Sequence, residues 1–203
     1  MDFSLILNNV AKHITLSKEE EVFFTSLVQY SKLKRKEFLL HEGDICRNTI
    51  FVVSGCLKVY SVDKKGFEHV VNFAPSDWWT GDLSSIITQK PGTNNIVAIE
   101  DSEVFLLAKS NQEILYHEVP KFERLFRILT ENSLVAYRQR FIDSISLIAE
   151  EQYKKFCNKY PTLLNRLPQK EIAAYLGVTP EFLSKMKSQI AKGSFCPVWV
   201  EHL

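Results

Sequence analysis

A chain of 203 residues, 45% hydrophobic and 12% aromatic, carries enough apolar material to bury a core, which excludes a disordered or low-complexity protein. No run approaches the roughly 18 apolar residues that cross a bilayer. The opening MDFSLILNNVAKHITLSKEEE also lacks a basic segment leading into a long apolar one, so a soluble cytoplasmic protein without a membrane partner is expected. The net charge of +1 divides into 8 Lys/Arg against 5 Asp/Glu in residues 150–203 and 17 against 19 in residues 1–149, too mild an excess to identify a nucleic-acid binder by itself.

Cys46, Cys56, Cys157 and Cys196 stand far apart, with no CxxC pair and no histidine at metal spacing. They are expected to be reduced thiols, and neither zinc nor an iron–sulfur cluster is indicated.

Ser17 precedes Glu20 at capping-box spacing, and Val22, Phe23, Leu27 and Tyr30 recur at helical intervals, so the stretch before Lys36 is expected to be helical. From Lys36 to Lys109 the short runs EFLL, TIFVVS, CLKVYSV, HVVNFA, NIVAIE and EVFLLA are separated by turn signals at Gly43-Asp44, Ser54-Gly55, Lys65-Gly66, Pro75-Ser76-Asp77 and Pro91-Gly92. This is the punctuation of an antiparallel all-β roll or sandwich, with no helices available for a parallel α/β sheet. Apolar residues alternate along Leu57–Val62, as one buried face requires. On such a strand Trp78 and Trp79 point to opposite faces, one into the core and one outward.

Between Val119 and Ala149 no Gly or Pro interrupts apart from Pro120, and a helix of that length would reach roughly 40 Å. Leu125, Ile128, Asn132, Val135, Gln139 and Ile142 mark an alternating three- and four-residue seam, the spacing of a two-stranded coiled coil with polar residues at two core positions. Phe122, Leu129 and Phe141 supply a second apolar face, which would instead suit a helix packed on its own β-domain.

Residues 167–187 read as two short helices joined by a tight turn. Pro168 suits a helix start, and Ile172, Ala173 and Leu176 face inward, the small Ala173 allowing close approach of a second helix. Gly177 can take the left-handed conformation that ends the first helix, and Val178 fills the corner. Thr179 then caps the second helix, Pro180 occupies its first turn, and Phe182, Leu183, Met186 and Ile190 are expected to bury one side. Glu181, Ser184, Lys185, Lys187 and Ser188 remain outward, a face with the donors and acceptors that read base edges and hold phosphates.

The order of these elements, the stretch from Gly43-Asp44 through Phe51–Val59, the segment Gly81-Asp82-Leu83-Ser84-Ser85, and the pattern Ile172-Ala173-x-Tyr175-Leu176-Gly177-Val178-Thr179-Pro180-Glu181-x-Leu183-Ser184-Lys185 resemble the Crp/Fnr family of transcription regulators. The resemblance covers nearly the whole chain. It implies an α+β protein with a cyclic-nucleotide-binding-like β-roll sensor over residues 1–118, a long dimerisation helix over 119–149 and a helix-turn-helix DNA-binding domain over 150–203. It implies a regulator rather than an enzyme: a homodimer on a pseudo-palindromic promoter, with RNA polymerase as a further candidate partner. An unidentified small effector would lie in the roll against the long helix, and its binding would reorient the DNA-reading domains. Gln169, Lys170 and Thr179 join the outward residues as candidate DNA contacts. Gly81, Asp82, Leu83, Ser84, Ser85, Thr93, Asn94, Tyr137 and Arg138 are the candidate ligand contacts.

Two departures from the family pattern stand out. Cyclic-nucleotide binders carry a Glu that holds the ribose and a later Arg-Ser pair that neutralises the phosphate. Here Asp82 replaces the Glu, and Gly92-Thr93 or Thr93-Asn94 stands where Arg-Ser belongs, with Lys90 the only basic residue between Gly81 and Lys109. No cofactor is assigned from the sequence, and cyclic AMP is not the expected effector because the phosphate-binding arginine is missing. After Lys192 only GSFCPVWVEHL remains, and Pro197 weakens a strand there, so a shortened or absent wing is expected. Two rival readings fit parts of the sequence. One is a ligand-binding or interaction module whose helix-turn-helix no longer reads DNA. The other is a cupin-like metal site drawn from His41, Glu42, His69 or His117, which lacks the clustered His-x-His spacing.

Overall fold

The capping box at Ser17 is present: Ser17 Oγ accepts from the Glu20 amide at 3.3 Å, and the Ser17 amide donates to Glu20 Oε2 at 2.7 Å. It opens helix α2 (Lys18–Leu27), which follows a first helix α1 (Ser4–Ala11) in the computed structural model, where residues 1–191 are described. The inward residue of α2 is Phe24, fully buried, whereas Val22 is 69% exposed. The helix also ends earlier than its periodicity implies. Val28–Leu33 is strand β1, paired residue for residue with a later strand, so Tyr30 lies in a sheet. No turn residue separates α2 from β1, and tertiary pairing decides the change.

Strands β2 (Phe38–Leu40), β3 (Asn48–Ser54), β4 (Cys56–Val62), β5 (Glu68–Pro75), β6 (Trp78–Thr80), β7 (Asn95–Ala98) and β8 (Ser102–Ala108) follow, with helix α3 (Leu83–Thr88) between β6 and β7. They form two four-stranded antiparallel sheets, ordered β1-β8-β3-β6 and β2-β7-β4-β5. The connection from β3 to β4 requires glycine: Gly55 has φ +84°, and a Cβ there would lie 2.6 Å from the Asp101 carbonyl.

Period-two alternation divides the core. Along β8, Val104 and Leu106 join Ile50, Val52, Leu57, Val59, Ala74 and Ile96 in a cluster drawn from both sheets. The intervening Phe105 and Leu107 join Phe51, Ile6, Val10, Phe24 and Leu115 in a second cluster, in which the helices cover the first sheet. The two tryptophans do face opposite ways, Trp78 toward the inter-sheet cluster and Trp79 toward the helical one, but both are half-buried and neither is an outward ring. Trp79 Nε1 donates to Asn9 Oδ1 at 2.8 Å, and Asn9 Nδ2 donates to Asp77 Oδ1 at 2.8 Å, which ties α1 to the β5–β6 turn.

Helix α4 (Lys109–Glu118) precedes α5 (Lys121–Ser146), a 26-residue helix of about 39 Å at 1.5 Å per residue. By contacts the chain divides inside α5 into residues 1–138 and residues from 139 onward. In the first unit Phe122 and Leu125 are fully buried and Phe126 is 8% exposed. Leu125 therefore belongs to the core and is not available to the coiled-coil seam its spacing suggested.

In the second unit α6 (Ala149–Lys159), α7 (Gln169–Leu176) and α8 (Pro180–Ala191) enclose Phe156, Tyr160, Leu163, Leu167, Ile172, Ala173, Leu176, Leu183 and Met186. The Arg140 guanidinium lies 3.8 Å over the Tyr175 ring and donates to the Tyr175 carbonyl at 2.9 Å, fastening the end of α5 to α7. The wing expectation, with Cys196 and Pro197, lies outside the described residues.

Candidate functional site

The cassette after β6 begins at Gly81. Asp82 then caps α3: its Oδ1 accepts from the Ser85 amide at 3.1 Å. Its other oxygen, Oδ2, accepts from Asn94 Nδ2 at 2.9 Å, and the residue is only 3% exposed. Gly92 makes this closure possible, because a Cβ at that position would stand 2.5 Å from Asp82 Oδ2. Ser85 is buried as well, its hydroxyl donating to the Lys90 carbonyl at 2.6 Å and accepting from the Cys46 amide at 2.9 Å. Three candidate positions, Asp82, Ser85 and Asn94, thus form one internal knot: the shorter carboxylate folds back onto its own helix and loop instead of presenting itself to a ribose.

The other candidates are placed differently. Leu83, Ser84 and Thr93 are exposed at the surface of the cassette. Tyr137 and Arg138 lie on the exposed stretch of α5. Sequence reasoning missed Asn72. It pairs with Val59 across β4–β5, and its Oδ1 is shielded from water without a hydrogen-bond partner, a buried acceptor in a sheet that is otherwise apolar at that register. The signal was legible as the lone polar residue inside the run HVVNFA.

The histidines of the cupin reading are held in separate local pairs. His41 stacks on Phe38 at 4.2 Å, His69 Nε2 lies 2.9 Å from Asp63 Oδ2, and His117 Nδ1 lies 3.0 Å from Glu118 Oε1. Among the described residues no group of three or more His, Cys, Asp or Glu could hold a metal.

The helical pair α7–α8 is the candidate nucleic-acid interface. Gly177 ends α7 at φ +70°, and the Val178 amide donates to the Ala173 carbonyl at 3.1 Å, so the chain reverses within three residues. Thr179 Oγ1 accepts from the Phe182 amide at 3.2 Å and starts α8. Leu183 and Met186 are buried against α7, which turns Glu181, Ser184, Lys185 and Ser188 to solvent. The Glu181 carboxyl is held below its ordinary range by its own backbone N–H and the Thr179 hydroxyl, so it stands as a charged acceptor in the first turn. Gln169 and Lys170 are exposed at the start of α7.

Two side chains depart from expectation. Lys187 is half-buried, its Nζ 5.8 Å from the Tyr153 ring, so it leans toward α6 rather than straight outward. Phe182, expected in the core, is 48% exposed, because Leu183 and Met186 already fill the space against α7.

Residues 30–118, from inside β1 to the end of α4, match the cyclic nucleotide-binding domain family. No curated protein sequence matches the chain. Among solved structures, the chain is similar to FixK2 from Bradyrhizobium japonicum, at 18% identity over 82% of this chain and 85% of that one, with a TM-score of 0.71. It is similar to the c-di-GMP-responsive global regulator CLP from Xanthomonas campestris, at 13% identity over 87% and 93% of the two chains, also with a TM-score of 0.71. A transcriptional regulator assigned to the Crp/Fnr family, from Eubacterium rectale, aligns at 14% identity over 88% and 85%, with a TM-score of 0.67. At these identities the likeness is one of fold, and it extends beyond the roll.

Proposed function

We propose that this chain is a DNA-binding transcription regulator of the Crp/Fnr type, acting in the cytoplasm as a homodimer on a pseudo-palindromic promoter site. The observation that carries the reading is the α7–Gly177–α8 corner, with a polar, solvent-facing α8 surface, on the same chain as a cyclic-nucleotide-type roll. The fold shared with CLP, a global regulator, and with the Crp/Fnr-assigned protein supports it.

The helix α5 supports dimerisation by a revised seam. Leu134, Val135, Phe141 and Ile145 are 66%, 68%, 67% and 71% exposed, and with Ile142 their spacing places them on one stripe of the helix. So much exposed apolar surface on one helix is what a second copy of α5 would cover. Ile128, Asn132 and Gln139 flank that stripe rather than centre it. Twofold pairing would set the two reading helices about 34 Å apart, one turn of DNA. RNA polymerase is the further partner that such a regulator would engage at a promoter.

The roll is read as the sensor for an effector other than cyclic AMP. Arginine loss from a buried charge pair costs about 3–5 kcal/mol, a factor of several hundred in affinity. The amides at the start of α3 offer only about 0.3–1 kcal/mol toward an anion.

Selection of bound duplexes from a random-sequence pool, followed by affinity against salt concentration, tests the proposal. Enrichment of an inverted repeat and a steep fall of affinity with salt are expected. Failure to enrich any sequence at low salt would favour a module that has lost DNA reading.

A further inference from the structure

We infer that Phe182 is a base-reading residue that contacts the C5-methyl group of a thymine in each half-site, an inference that rests on the DNA-binding reading above. Its position is tightly determined. The Thr179 hydroxyl accepts from the Phe182 amide at 3.2 Å, so the residue lies in the first turn of α8. Leu183 is fully buried and Met186 is 1% exposed, which sets the rotation of the helix about its axis. At 100° per residue Phe182 then stands beside Lys185 and Gln189 on the exposed face, and it leaves 48% of its surface in water.

An aromatic ring in that place gains little from burial in the free protein. It is the one large apolar side chain among the exposed residues of α8, between Glu181 and Lys185. The first turn of a recognition helix is the part that reaches the floor of the major groove. A phenyl ring cannot join hydrogen-bond readout there. What the groove offers it is the thymine methyl, the apolar group among an otherwise polar set of base edges, and Phe is a known fit to it. Cytosine presents no methyl and an adjacent amino donor, which the ring would desolvate without replacement. Glu181 and Lys185 on either side would pair with neighbouring base edges or phosphates, so the ring supplies a discrimination they cannot.

The test uses the duplex enriched from a random pool by the full chain. Each thymine in it is replaced singly by uracil, which removes the methyl and leaves pairing intact, and dissociation constants are measured for the wild type, Phe182→Leu and Phe182→Gln. The wild type should lose about fourfold in affinity at one thymine per half-site, the equivalent of one buried methyl group, and about sixteenfold when both half-sites are changed. Phe182→Leu, still apolar, should keep most of that loss. Phe182→Gln should bind thymine and uracil duplexes alike. The inference is overturned if the wild type tolerates uracil at every position, or if Phe182→Gln loses as much as the wild type. Absence of any enriched duplex would overturn the DNA-binding reading itself, and it appears before the uracil step, so the two failures are distinct.

Discussion

Replacing Asp82 by alanine distinguishes a structural carboxylate from one held ready for a ligand. Asp82 caps α3 through the Ser85 amide at 3.1 Å and accepts from Asn94 Nδ2 at 2.9 Å while 3% exposed. A lost N-cap costs about 0.5–2 kcal/mol. Leaving the Asn94 amide without its acceptor adds about 1–3 kcal/mol. Asp82→Ala should therefore destabilise the ligand-free protein by about 1.5–5 kcal/mol, a large part of the roughly 5–15 kcal/mol that holds a domain. Asp82→Asn, which retains an acceptor for Ser85, should lose less. Urea unfolding followed by tryptophan fluorescence reports on this unit through Trp78 and Trp79, and circular dichroism should follow the same transition. A change below about 0.5 kcal/mol in Asp82→Ala, the range of an ordinary surface substitution, would refute the knot and return the carboxylate to a ligand-binding role.

Phe141→Asp or Ile145→Asp should convert a dimer into a folded monomer in sedimentation, since both side chains are exposed in the single chain at 67% and 71%. A variant that remains dimeric would remove α5 as the interface. Leu125→Ala should instead lower stability by about 2–5 kcal/mol, because Leu125 is fully buried in the roll–helix core. An unchanged unfolding midpoint would contradict that placement. Lys185→Ala should cost about 1–3 kcal/mol in promoter affinity if it meets a base, with a flatter salt dependence if it meets phosphate, as read from binding isotherms at several salt concentrations. Titration calorimetry with cyclic AMP and cyclic GMP should show no micromolar binding; a micromolar dissociation constant for either would mean that another cation, with Arg138 the first candidate, has replaced the missing arginine.

Much of the architecture follows from local pattern. The strands of the roll and the corner at Gly177 are legible because side-chain period, turn residues and a left-handed glycine are properties of neighbouring residues. The same is true of the α2 cap, where Ser17 and Glu20 meet across a single turn.

What local pattern misassigned depends on partners distant in sequence. Val28–Leu33 became a strand because β8, some seventy-five residues later, offers it a hydrogen-bonded edge. Leu125 left the seam because it is fully buried in the core cluster that also holds Phe24, Phe51 and Leu115. Phe182 left the core because Leu183 and Met186 already filled it. Asp82 and Asn94 were both named from the chain as ligand contacts, yet only the folded loop, drawn close by Gly92, shows them bonded to each other. Sequence by itself determined most of the elements this protein builds, β1 excepted, because backbone propensity and hydrophobic period act over a few residues. Tertiary structure alone decided which side chains remain available, because burial and hydrogen-bond satisfaction are settled by whatever the fold brings alongside.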